Sequence, residues 1–109
     1  MKVYTDGSGN GKYSFFIEET NETKFFIRKD ITNNQAEYLA VLEALKHTTG
    51  DTEIYSDSEL LVKQLKHEWS IKDDKLRKLT VKIWKMMEKR KVNFVWISRE
   101  RNKAGKLLG

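Results

Sequence analysis

The sequence contains no cysteine and no proline, and only 6 glycines among its 109 residues. Without cysteine there is no disulfide framework and no thiolate metal site, so a metal ion would have to be held by carboxylates, amides or histidine. Without proline, and with glycine this sparse, nothing marks an internal linker, repeat or low-complexity tract. Residues 1–109 are therefore expected to fold as a single domain. Long apolar runs are missing as well. None approaches the roughly 20 residues of a membrane span, and Met1 leads directly into a strand-like segment instead of a signal-peptide pattern. No membrane association is expected, a cytoplasmic location follows by default, and no feature signals an obligate protein partner.

What is present suffices for a core. Hydrophobic residues make up 39% and aromatics 11%, so the chain can bury an interior despite a charged fraction of 34%. The formal charge of +5 suits a polyanionic partner, a property shared with many ordinary basic proteins.

Periodicity divides the chain into elements. Met1 to Thr5 reads as a strand that enters a glycine-rich turn from Asp6 to Gly11. Lys12 to Glu19 alternates Tyr13, Phe15 and Ile17 on one face, and Thr23 to Lys29 completes a three-strand meander. Thr32-Asn33-Asn34-Gln35 has the form of a capping box, predicting a helix with Ala36, Leu39, Ala40, Leu42 and Leu45 as its apolar positions. Thr49-Gly50-Asp51 ends that helix. Glu53 to Ser56 is β-like and runs into a second helix start at Ser56-Asp57-Ser58-Glu59. Asp73 and Asp74 open a longer amphipathic helix, Val92 to Ser98 forms the last strand, and Asn102 to Gly109 a short terminal helix. This order predicts an α/β fold in which the strand before Asp57 lies parallel to the first strand through a helical crossover. Trp69 is expected to pack in the core, with stacking near nucleic acid as the alternative, and Lys82, Lys85, Lys89, Arg90 and Lys91 to form a solvated cationic face, with phosphate contact as the alternative.

Three carboxylates are the chemical candidates. Asp6 ends the first strand, Glu37 lies in the first turn of a helix, and Asp57 ends the fourth strand. The ends of neighbouring parallel strands are where α/β sheets place ligand sites. An all-oxygen cluster there would suit a hard divalent cation. Local sequence leaves other roles open: Asp6 as the first residue of a turn, Glu37 as an acid favoured by the helix dipole, and Asp57 as a helix-start acid.

Three strings taken together narrow these alternatives. Tyr4-Thr5-Asp6-Gly7-Ser8, then Thr32-Asn33-Asn34-Gln35-Ala36-Glu37, then Ile54-Tyr55-Ser56-Asp57-Ser58 resemble the leading motifs of type 1 ribonuclease H in order and approximate spacing. The resemblance covers the chain nearly end to end. It implies a ribonuclease H-like fold, a five-stranded mixed sheet of three antiparallel and then two parallel strands, flanked by helices. It also implies an endoribonuclease that hydrolyses the RNA strand of RNA·DNA hybrids and leaves a 5′-phosphate. The implied cofactor is Mg²⁺ or Mn²⁺, as two ions, one activating the attacking water and the other stabilising the leaving oxygen. Asp6 would bridge both, with Glu37 and Asp57 completing their coordination. Asn33 and Asn34 resemble the family's minor-groove pair, which tells RNA from DNA by its 2′-hydroxyls. Asn10 and Thr32 match positions that contact the DNA strand's phosphate, and Thr32 has its capping role besides.

The chain departs from the family near its end. Relatives open the last helix with an Asn followed three residues on by Ala-Asp, a fourth carboxylate. Here Asn102-Lys103-Ala104-Gly105 puts glycine in its place. Asn102 either offers a neutral carbonyl oxygen to a metal ion or caps the last helix. No histidine follows His67, whereas some relatives carry one in a loop before the final helix. A weak or Mn²⁺-dependent enzyme, or an inactive hybrid-binding module of the same fold, is the alternative function. A third reading is a domain that serves another nuclease or a reverse-transcription apparatus.

Overall fold

The computed structural model describes residues 1–107 and assigns strands β1 (Lys2–Gly7), β2 (Lys12–Ile17), β3 (Glu22–Ile27), β4 (Thr52–Ser56) and β5 (Val92–Trp96). They form one sheet in the order β3-β2-β1-β4-β5. β1–β2 and β2–β3 are antiparallel, whereas β1–β4 and β4–β5 are parallel. The expected mixed sheet is therefore observed. Helices α1 (Asn33–Lys46), α2 (Glu59–Leu65) and α3 (Asp74–Met86) complete the fold, and none is long and apolar enough to cross a membrane.

Alternation decides which sheet face is dry. Val3, Phe15, Ile17, Ile54 and Phe94 are buried among the residues of α1, α2 and α3. The other face carries half-buried aromatics side by side, because Tyr4 pairs with Phe16 across β1–β2 and with Tyr55 across β1–β4. The Tyr4 and Tyr55 rings stack 5.0 Å apart. The long crossover helix α1 lies against β1 and β2 on one side and α3 on the other, so its apolar positions are not confined to a narrow stripe. The expected capping box forms, with Thr32 Oγ1 accepting from the Gln35 amide at 3.1 Å and Gln35 Oε1 accepting from the Thr32 amide at 3.0 Å.

Three expectations need correction. Arg90 does not belong to a solvated face. Its guanidinium donates to the carbonyls of Leu45, Thr48 and Gly50 and to the hydroxyls of Thr48 and Thr52, at 2.6–3.0 Å, and so satisfies the chain end of α1 and its connection to β4. Trp69 is 45% exposed, not core. The chain leaves the packed layer just before it, at His67, whose φ of 65° breaks the helical path beyond α2. Finally, the helix expected over Asn102–Gly109 is replaced by short 3₁₀ turns at Arg99–Arg101 and Gly105–Leu107, and its last two positions lie outside the described residues.

Replacing Arg90 by methionine takes the guanidinium donors away from the partly buried carbonyls of Leu45 and Thr48, and is expected to lower the unfolding free energy by about 2–3 kcal/mol. Urea denaturation measures this. A change within about 0.5 kcal/mol, the ordinary range for surface substitutions, would show that the guanidinium is a bystander.

Candidate active site

The parallel pairing of β1 with β4 brings the end of β1 beside the end of β4, and with it Asp6 beside Asp57. Glu37 reaches the same place from α1, because residue 7 has no side chain. A Cβ on Gly7 would lie 2.5 Å from the Glu37 amide nitrogen and 2.6 Å from the Ala36 carbonyl carbon, distances no real side chain tolerates. Glycine lets the helix backbone rest directly on the strand end. The result is a cluster in which one carboxylate oxygen from each of Asp6, Glu37 and Asp57 lies within 4.8 Å of the others.

Glu37 is not in the first turn of α1, which holds no acid. It follows the fourth helical residue and is 6% exposed. A role with the helix dipole is thereby excluded, since that interaction fades beyond the first turn. Its Oε2 has no hydrogen-bond partner. Burial, followed by the charges of Asp6 and Asp57, pushes the Glu37 carboxyl up to about 9. Burial and then Asp57 raise the Asp6 carboxyl to about 6. Asp57 is not a helix cap either. The capping oxygen is that of Ser58, which accepts from the Leu61 amide at 3.2 Å, while Ser56 Oγ accepts from the Ser58 amide at 3.1 Å.

Asn102, 1% exposed, is what Asp57 leans on. Its amide nitrogen donates to the Thr5 carbonyl at 2.9 Å and to Asp57 Oδ2 at 3.2 Å, while its carbonyl oxygen accepts from the Ala104 amide at 3.0 Å. The two backbone partners fix which end of the amide is which. Asn102 thus presents its amide nitrogen to the cluster, with its carbonyl oxygen turned to the Ala104 amide. In place of the expected N-cap of a terminal helix, Asn102 ends the 3₁₀ turn Arg99–Arg101 and its side chain bonds the Ala104 amide two residues on. At Gly105 an added Cβ would lie 3.1 Å from Asp6 Oδ2, so position 105 faces the cluster directly.

These groups line an open cleft of about 500 Å³, which also receives Ser8, Gly9, Asn33, Arg99, Glu100 and Lys106. Of the candidate substrate-binding residues only Asn33 reaches it. Thr32 is occupied as the cap, and Asn10 and Asn34 are exposed outside it. Arg99, Glu100 and Lys106 escaped the sequence reading because no motif marks them. Their nearness to Asn102 in the chain was the one available signal.

The donor set fits a divalent cation. It is all-oxygen and acidic, and it contains a buried carboxylate oxygen with no other partner. A parallel-strand sheet end carrying such an acidic cluster defines a class of α/β proteins suited to hold a divalent cation. Within that class, residues 18–108 match the model of the reverse transcriptase-like family, so the chain belongs to it. Ribonuclease H from Campylobacter jejuni is 29% identical over 113 residues, spanning 89% of this chain and 77% of that protein. Among solved structures, LC11-RNase H1 in complex with RNA/DNA hybrid superposes with a TM-score of 0.81 at 27% identity, covering 99% of both chains. RNase H1 from the halophilic archaeon Halobacterium salinarum gives 0.85 at 25% identity, covering 98% of this chain and 92% of that one. The type 1 ribonuclease H family read from the three motifs is confirmed.

Because folding raises both the Asp6 and the Glu37 pKa, the stability tied to these groups is complete below their ordinary values of 3.8 and 4.5 and is lost as pH rises through about 6 and about 9. In chelator, the urea midpoint is expected to fall from pH 5 to pH 9, and Glu37→Gln to remove the alkaline part of that fall. Added Mn²⁺ or Mg²⁺ should stabilise the wild type most at the alkaline end. Parallel pH profiles of wild type and Glu37→Gln in chelator would refute the buried-acid account.

Proposed function

We propose that this domain hydrolyses the RNA strand of RNA·DNA hybrids at the Asp6–Glu37–Asp57 cluster, leaving a 5′-phosphate, with Mg²⁺ or Mn²⁺ as cofactor in the form of two ions. The observation that carries this reading is the convergence of the three carboxylates around an unpartnered buried oxygen of Glu37. The ribonuclease H relatives and a neighbour solved on an RNA/DNA hybrid supply the substrate class. Divalent cations bound among the carboxylates would supply a water of lowered pKa and positive charge beside the leaving oxygen.

The chain's own residues do the rest. Asp6, with an oxygen within 4.8 Å of one on Glu37 and one on Asp57, would help to hold the cations. Asp57 is held in position by Asn102, whose amide is itself anchored on the β1 backbone. Asn33, on the cleft wall at the start of α1, offers an amide that can both donate to and accept from a 2′-hydroxyl and a base edge. Asn10 and Asn34 are exposed and Thr32 partly so, and they would serve the strands of the hybrid beyond the cleft itself.

The second reading, a hybrid-binding module with weak or no turnover, draws support from one observation. With glycine at 105 and Asn102 turned toward Asp57 and Ala104, three side-chain carboxylates form the cluster among the described residues. An end-labelled hybrid incubated with Mg²⁺ or Mn²⁺ separates the two. Cleavage confined to the hybrid, absent from a matched RNA duplex and abolished by chelator or by Asp6→Asn, is expected. Retained hybrid binding without cleavage under either ion would leave the binding module standing.

Two variants refine the test. Asn102→Ala frees Asp57 and is expected to reduce turnover or metal affinity about 10–100-fold. Gly105→Asp adds a carboxylate facing Asp6 and should raise activity, most visibly with Mg²⁺. An unchanged rate in Asn102→Ala would remove Asn102 from the site.

A further inference from the structure

We propose that Arg99 and Lys106 form a two-cation clamp on the phosphates flanking the bond to be cut, making them substrate-positioning residues of the cleft. The proposal rests on the nucleolytic reading above and names the part of the substrate that the carboxylates alone would repel.

Both side chains line the same cleft as Asp6, Glu37 and Asp57. Both are exposed, and among the described residues neither lies within salt-bridge reach of a carboxylate. They are therefore not spent on neutralising the cluster, although the charge of Arg99 is felt at Asp6. Glu100, on the same turn, also lines the cleft and adds to the negative side, which makes unpaired cations there the more telling.

The segment that carries them is held firmly. Ala104 is fully buried and its carbonyl accepts from Ser14 Oγ at 3.1 Å, while Asn102 is fastened to the Thr5 carbonyl. The Arg99 carbonyl accepts from the Asn102 amide, and the Gly105 amide donates to the Asn102 carbonyl. Arg99 and Lys106 thus sit on either side of one buried anchor, projected over the cleft by backbone that is already ordered. Little backbone entropy remains to be lost when a ligand arrives. A guanidinium presents a planar fork to phosphate oxygens and an ammonium a compact point charge. Held beside carboxylates, the pair gives a phosphodiester a place where it is attracted on one side while its reacting face turns toward the acidic cluster.

The test is Arg99→Gln, Lys106→Gln and the double variant, with Arg99→Lys as the conservative control. Steady-state cleavage of the hybrid is expected to show a raised KM with a smaller change in kcat, and Arg99→Lys to recover most of the loss. In an Asp6→Asn background, which leaves the hybrid intact, fluorescence anisotropy against salt concentration reads binding directly. Each neutralised cation should reduce the slope of log affinity against log salt by about one. Urea midpoints confirm that the variants are folded. An unchanged salt slope with KM within about twofold of wild type overturns the clamp and leaves the nuclease intact. If the wild type cleaves no hybrid with either ion, the nucleolytic reading falls, and the salt slope alone then decides the clamp.

Discussion

The contact on which the site depends is between two backbones, that of β1 at Gly7 and that of α1 at Ala36 and Glu37. Any Cβ at residue 7 would occupy the space of the helix backbone. With glycine there, α1 descends onto the strand end and delivers Glu37 to the spot that parallel pairing has already given to Asp6 and Asp57. Three like charges brought together and partly removed from water are unfavourable, as the raised Asp6 and Glu37 pKa values record. The rest of the fold must supply that stability. The apolar layer of Val3, Phe15, Ile54 and the inner face of α1 does so by burying most of what lies behind the cluster.

Two polar side chains extend that support across long stretches of chain. Arg90 closes the C-terminal end of α1 by taking up carbonyls more than thirty residues before it, fixing the far end of the helix whose near end carries Glu37. Asn102 does the corresponding work at the cleft, joining the last turns to β1 and to Asp57. Asn102 is buried and Arg90 partly so; each is tolerated there because its donors and acceptors are matched, and each ties a local geometry to a distant segment.

That distinction explains what could be read from the sequence. Strand alternation in Tyr13, Phe15 and Ile17, the capping box at Thr32, and the three acidic motifs are local patterns, and the sheet and the triad follow from them only with the resemblance to ribonuclease H that the motifs carry. Arg90 sits in a run of cations, and nothing near it in sequence announces acceptors at Leu45 and Thr48. Asn102 was legible as a polar residue at a turn. The direction of its amide, however, is set by Thr5, 97 positions away. The terminal helix failed for a related reason: Asn102 and Ala104 are drawn to the sheet by bonds to Thr5 and Ser14, and short 3₁₀ turns follow that path where a continuous helix would not. Trp69 was misplaced because a large aromatic was assumed to be buried, while the left-handed His67 just before it turns the chain outward.

Glycine at 105 changes the balance of charge in the cleft as well as the number of its acids. A carboxylate there would face Asp6 and deepen the negative potential that draws in divalent cations. Without it, mutual repulsion within the apo cluster is smaller, and so is the attraction for a cation. The neighbouring Arg99 and Lys106 push in the same direction, since positive charge on the rim weakens cation binding while favouring a phosphate. On the proposed reading, binding strength has moved from the metal toward the nucleic acid. Occupancy by the cation would then depend on the substrate being present, because a bound phosphodiester restores the negative charge that the glycine took away. Metal and hybrid would in that case bind with positive coupling, each raising the affinity of the other by the same factor.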